Sequence, residues 1–211
     1  MSPPQPSTDL FGLLRHGQTI WNREKRIQGS GNSPLTPEGV ASCRKWGHFL
    51  STQPITWHRI IASPLQRAVE TAELVNETLG LPIHRDEKIR EMHWGQWEGL
   101  TLDQIKSTWP GKVEELIQLG WDFRPPGGES RKELLQRVLS SCEQNSTRWP
   151  NDNLLVISHL GAIKSLLYHV EGRDYLPKEP KILYNNRFHI LHYCNGTFSV
   201  TNKNITVPDN S

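Results

Sequence analysis

The stretch LLRHGQTIWNREKRIQG, residues 13–29, opens as the end of a buried strand and turns polar at once. The apolar run LFGLL at 10–14 stops on Arg15 and His16, and Gly17 follows with no spacer. A strand that ends on a cation, an imidazole and a glycine presents them at the edge of a sheet, either to solvent or to a ligand. The rest of the chain has to decide which.

Two further apolar runs of strand length end the same way. RIIAS at 59–63 leads into SPLQR at 63–67, and LLVIS at 154–158 leads into SHLG at 158–161. Short β-rich runs alternating with helix signals predict strands of a parallel sheet. Thr36 as N-cap with Pro37 at the first helical position predicts a helix through Leu50. Ser63-Pro64 opens another, in which Leu65, Ala68, Val69, Ala72, Val75 and Leu79 form a core face and Gly80 ends it. Thr101 and Gln104 make a capping box, and Leu134, Leu135, Val138, Leu139 and Cys142 mark one face of a helix from Ser130 to Arg148. A last helix is expected from Gly161 to Glu171. RFHILHYCNGTFSVTNKN, 187–204, alternates on either side of Asn195-Gly196, the pattern of a hairpin.

Together these elements predict an α/β fold: a mostly parallel sheet flanked by helices on both faces, three layers deep, with a C-terminal antiparallel hairpin. The expected organisation is a flexible Pro-rich lead at 1–9, a single domain at 10–204 and a tail at 205–211. Trp109-Pro110 and RPPGGES at 124–130 break the pattern, so residues 106–129 read as an insertion or lid. Its Trp109, Trp121, Phe123 and Arg124 either form a substrate-recognition wall or pack the lid itself.

Composition removes several classes of function. With 211 residues, 35% hydrophobic and 22% charged, and a mean hydropathy of -0.58, the chain is an ordinary globular protein and not a disordered one. Twenty-four basic against 22 acidic side chains leave a net charge of +2, which argues against nucleic acid or membrane as partner and makes any anion site local. Cys43, Cys142 and Cys194 form no CxxC pair, which fits reduced thiols in a cytoplasmic protein and gives no zinc site. MSPPQPSTD lacks the basic and apolar regions of a secretion signal, and no segment approaches the roughly 20 apolar residues of a membrane span. No heptad or long apolar stripe specifies an oligomer.

In an open parallel sheet, ligands sit beyond the carboxyl ends of the strands. The three strand ends here deliver Arg15, His16, Arg67 and His159 to one edge. Two arginines and two histidines beside helix N-termini suit a phosphoryl group, because guanidinium forks match phosphate oxygens and free amides add positive potential.

With their surroundings these residues resemble a known family. LLRHGQTIWN…RIQGSGNSPLTPEG, ASPLQRAVETAE, IREMHWGQWEGLT and VISHLGAIK, in this order over residues 10–202, resemble the histidine phosphatase superfamily with its phosphoglycerate mutase-like fold. The resemblance implies that His16 is a nucleophile forming a phosphohistidine. It implies that Arg15, Arg67 and His159 hold the non-bridging oxygens, that Asn22 and Gln28 hydrogen-bond the transferred group, and that Gly17 lets the backbone approach it. Glu91 would be the general acid that protonates the leaving alkoxide and then activates water, with Trp94 and Trp97 desolvating it. Glu98 reads as structural. His93, His189 and His192 match no role, and the histidines lack paired ligand spacing, so neither a catalytic metal nor a cofactor is expected.

Two positions depart from the family pattern. Leu160, at the substrate-binding site, stands where a glycine is common, and either narrows the pocket or alters packing; Asn32 stands where an aspartate is frequent. HWGQWEGLT resembles the phosphatase branch, in particular the broad-specificity and α-ribazole phosphatases, and the chain is shorter than the mutases. The resemblance therefore implies a phosphomonoester hydrolase acting on small phosphorylated metabolites. A phosphoglycerate mutase-type phosphotransferase is the alternative, and a catalytically silent phosphate-ester binding protein the third reading.

Overall fold

A computed structural model describes residues 8–184, 186–194 and 196–208. Most of the expected lead, the last three residues of the tail and Asn195 of the hairpin turn lie outside them. In chain order the elements are β1 (Thr8–Arg15), α1 (Ile20–Arg23), α2 (Pro37–Ser51), β2 (Arg59–Ala62), α3 (Gln66–Leu79) and β3 (Ile83–Arg85). They continue with α4 (Leu102–Thr108), α5 (Lys112–Ile117), α6 (Arg131–Arg148), β4 (Leu154–Ser158), α7 (Leu160–Val170), β5 (Phe188–Cys194) and β6 (Thr197–Ile205).

The six strands form one sheet in the order β3-β2-β4-β1-β5-β6. The first four run parallel, and β5 and β6 join antiparallel at the β1 side. Side chains alternate between the faces of a strand, so each strand feeds two cores. Phe11 and Leu13 of β1 and Leu154 and Val156 of β4 pack with Leu134 and Val138 of α6 and Ile163 and Leu166 of α7. Leu14, Leu155 and Ile157 point the other way, to Trp46 and Leu50 of α2 and Ala68, Ala72 and Val75 of α3. The predicted three layers are present.

Local signals explain the helix ends. Thr36, Thr101 and Ser130 all accept the third-residue amide of the helix they cap, and Gln104 and Glu133 return the bond to complete capping boxes. Such caps contribute about 1 kcal/mol each. Gly80 closes α3 with a left-handed φ of 63°, which only a residue without Cβ adopts freely.

The structure differs from the sequence expectation in five places, the first being the short helix α1 at Ile20–Arg23, which the sequence did not lead one to expect. α3 starts at Gln66 and not at Ser63-Pro64, because Leu65 is extended and Ser63 Oγ takes its amide instead. α7 starts one residue early, at Leu160. The edge strand β3 was not expected; it has three residues, and Ile83 and Arg85 are exposed. Within 106–129, α5 and a 3-10 turn at Gly120–Asp122 supply regular structure.

Candidate active site

Parallel pairing brings the carboxyl ends of β1, β2 and β4 to one edge. Arg15 stands opposite Ser158, and the His16 amide donates to the Ser158 carbonyl at 2.9 Å. The Ser63 amide donates to Ile157 in the same way. His16 and His159 thus face each other, ring centroids 5.2 Å apart and planes tilted by 55°.

Both imidazoles are buried, at 6% and 0% exposure. His16 Nδ1 lies 2.8 Å from the Gly17 carbonyl, an oxygen that can only accept, so Nδ1 carries the proton and Nε2 keeps its lone pair. Burial, then the charges of Arg15 and Arg67, hold His16 well below the usual histidine range. His159 is depressed likewise, by burial first and then by Arg67. Its Nε2 pairs with Ser63 Oγ at 2.7 Å, while among the described residues its buried Nδ1 meets no partner. The result is a neutral imidazole nitrogen that keeps its lone pair, beside a buried polar nitrogen that has no partner among the described residues.

Arg67, 1% exposed, holds the floor of the site. Its Nε–H points at His16 Nε2 across 3.3 Å, and its two amino groups donate to the carbonyls of Gly31 at 2.8 Å and Gly29 at 2.7 Å. Burial pulls its pKa down to about 10. The loop it grips carries Gln28, 7% exposed, whose Oε1 has no partner among the described residues. Glu98 fastens the same loop from the far side by accepting the amides of Ser30 and Trp94, so its expected structural part agrees with its contacts.

Glu91 reaches the site by way of α7. Its carboxylate oxygens accept the Gly161 amide at 3.1 and 3.2 Å, and a Cβ on Gly161 would overlap Oε1. Its charge opposes the lowering that burial imposes on Arg15 and Arg67. The segment bearing it is clamped by Arg137 of α6, which donates to the carbonyls of Lys88, Arg90 and Glu91 and pairs through two nitrogens with Glu129. Ser158 Oγ adds a bond to Ile89.

Arg15 and His16 border an open cleft of about 560 Å³, lined also by Asn22, Lys25, Leu160 and Arg187 among others. Arg15, His16, Arg67, His159 and Glu91 are brought together as expected. Other expected residues stand differently. Asn22 borders the cleft, but its Oδ1 accepts the Thr19 amide in the capping box of α1. Gly17 also lies tight against α2: a Cβ would come within 2.6 Å of Cys43 Sγ. Asn32 is exposed.

Trp94 and Trp97 stack on each other and meet Phe123 edge-on, as part of the core. Of the two readings of 106–129, packing has the better support. Phe123 is buried, Trp121 Nε1 donates to Arg173, and Arg124 pairs with Glu133. Sequence reasoning passed over Ser63, Arg137 and Glu129. Ser63 was legible as part of the SPLQR strand end, whereas Arg137 and Glu129 act mainly on backbone groups and carry no motif.

The family model of the histidine phosphatase superfamily (branch 1) matches residues 11–206. The chain belongs to this superfamily. Among its relatives is the uncharacterised phosphatase PhoE of Bacillus subtilis (strain 168), 32% identical over 162 residues, which are 77% of each chain. The probable phosphoglycerate mutase GpmB of Salmonella choleraesuis is 39% identical over 133 residues, covering 62% of this chain and 61% of that protein. Of solved structures, YhfR of Bacillus stearothermophilus superposes with a TM-score of 0.82 at 32% identity, over 92% of this chain and 95% of the other. A mycobacterial glucosyl-3-phosphoglycerate phosphatase in complex with VO3 gives 0.80 at 26% identity over 94% and 100%. This histidine phosphatase superfamily member is therefore an enzyme with phosphatases as neighbours in sequence and in structure. Among its described residues no helix is long and apolar enough to cross a membrane.

Proposed function

We propose that the chain is a phosphomonoester hydrolase that works through a phosphohistidine on small phosphorylated metabolites. The observation that carries the reading is the bond from His16 Nδ1–H to the Gly17 carbonyl, which fixes the tautomer and leaves Nε2 as an unprotonated nucleophile among cations.

In this reading the Nε2 lone pair attacks phosphorus and the ester P–O bond breaks. Arg15, Arg67 and the unpartnered Nδ1 of His159 hold the non-bridging oxygens, where transition-state charge develops. Gln28 adds an amide ligand. Asn22, its oxygen already engaged, contributes only its amide NH2. Glu91 in its acid form protonates the departing alkoxide. As a carboxylate it then takes a proton from water while the water oxygen attacks phosphorus, the P–N bond breaks and phosphate leaves. A reducing, cytoplasmic setting fits the three free thiols.

The 39% identity to a probable phosphoglycerate mutase favours a second reading, in which a bound alcohol replaces water as acceptor. Phenyl phosphate separates the two. A hydrolase releases phosphate from it at acidic to neutral pH, loses that activity in His16→Ala, and shows acid-labile, base-stable label on His16 when quenched with a 32P-labelled ester. A mutase interconverts 2- and 3-phosphoglycerate with little phosphate release. Absence of both activities leaves only the silent binding protein.

A further inference from the structure

Beside the cleft lies a second chamber of about 390 Å³, and Leu160 is a wall of both. The two cavities adjoin at the first residue of α7. Leu160, Lys164 and Tyr168 follow at spacings of four, which stacks them on one face of the helix with about 6 Å of axial rise between successive members. The stripe starts beside His159 and leads into the chamber.

Lys164 has little company there. Its ammonium lies 4.9 Å from the Tyr168 ring centroid and 4.6 Å from that of Tyr175, and among the described residues it makes no hydrogen bond and no ion pair. The other charges lining the chamber are Arg131, Lys181 and Glu179. Arg131 is held between the rings of Phe123 and Tyr175 at 4.2 and 4.0 Å and donates to the carbonyls of Gly120 and Tyr175. Glu179 is the one acidic lining group, and its two oxygens already accept the amides of Asp174 and Leu176. Burial, with Arg131 and Lys181 nearby, brings the Lys164 amine down to about 8, Glu179 opposing. Tyr175 keeps its place at a left-handed φ of 66°, which a bulky residue holds only when its surroundings impose it. A half-buried ammonium seated on ring faces, with no oxygen to bind, is a strong site for an anion.

We propose that this chamber receives a second anionic group of the substrate, with Lys164 as its counter-ion. The preferred substrates are then phosphate monoesters whose alcohol carries a carboxylate or a second phosphate several bonds from the ester. The helix stripe sets that spacing: an anion on Lys164 sits more than one turn along α7 from the residue that follows His159. This rests on the hydrolase reading, whose site it extends.

The test compares hexyl phosphate, 6-phosphooxyhexanoate, 1,6-hexanediol bisphosphate and 6-aminohexyl phosphate. The parent should favour one or both of the esters with a second anionic group over hexyl phosphate by about tenfold in kcat/KM, as one charge-assisted contact provides; which of them leads tells a carboxylate from a phosphate. Lys164→Met should remove the preference, and Lys164→Glu should transfer it to the aminohexyl ester, a gain that misfolding cannot produce. Equal use of hexyl phosphate and both esters with a second anionic group by the parent, or a preference that survives Lys164→Met, overturns the proposal. Dissociation constants of the same esters with His16→Ala, and with His16→Ala/Lys164→Met, read the subsite without turnover. Discrimination there with no hydrolysis by the parent would sink the hydrolase reading and leave the anion subsite standing.

Discussion

The Nε–H of Arg67 points at Nε2 of His16 while the rest of its guanidinium grips the carbonyls of Gly29 and Gly31. One side chain therefore orients His16 and shapes the loop above it. Lysine offers no planar fork and cannot do both. Arg67→Lys should lower kcat by about 100-fold, the effect of losing one preorganised donor. It should also lower Tm, since two carbonyls lose their partner. Steady-state kinetics and a thermal melt check the pair of effects; loss of one without the other would separate the two roles.

The depressed histidines set a pH window for stability. His16, His159 and His189, the last brought to about 4 by burial and Lys203, stay neutral when folded at pH values where an unfolded chain is protonated, near 6.5. Their contribution is complete above about 6.5 and is lost as pH falls toward the folded values, at about 1.4 kcal/mol per pH unit for each proton taken up only by the unfolded state. Urea titrations between pH 7 and 4 should show this slope, reduced by one proton in His189→Phe. The same shift on His16 means that the acid limb of kcat/KM lies well below the ordinary histidine value.

Gly161→Ala should separate folding from chemistry. The new methyl would meet the tip of the Glu91 side chain, which can swing aside. The expected outcome is a Tm within a few degrees of the parent and a loss of kcat that grows with leaving-group pKa, as in Glu91→Gln. Equal losses on aryl and alkyl phosphates would remove Glu91 from the acid role.

Arg137 should share that signature at reduced size. All five of its N–H groups are engaged, three on the carbonyls of Lys88, Arg90 and Glu91 and two on Glu129. Releasing the segment lets the Glu91 carboxylate wander, so Arg137→Gln should cost about tenfold on alkyl phosphates, in line with the loss of an orienting bond. Rates per active site are compared with those on 2,4-dinitrophenyl phosphate, and Arg137→Lys should recover part of the difference. A purely structural arginine would lower both substrates alike.

Much of the site was legible because it sits where period and punctuation change together. RHG, SPLQR and SHLG each follow an apolar run, so the sheet rule alone gathers Arg15, Arg67 and His159 around His16. What escaped detection lacks such punctuation. β3 is too short to show a period. The clearance Gly17 needs from Cys43 is not legible either, because Cys43 sits in a helix distant in sequence. Arg137 and the chamber around Lys164 depend on segments distant in sequence meeting in space, which a single chain read residue by residue does not display.

The central pairing of β1 with β4 has a consequence for how the enzyme comes into being. His16 follows β1, while the strand that aligns it, with His159 at its end, lies about 140 residues further along the chain. Joining them closes a long loop, the kind of contact that slows folding. Chemistry is thus withheld from every fragment that stops short of β4. Recovery of turnover during refolding would report the closing of the sheet's centre and not the earlier formation of its helices.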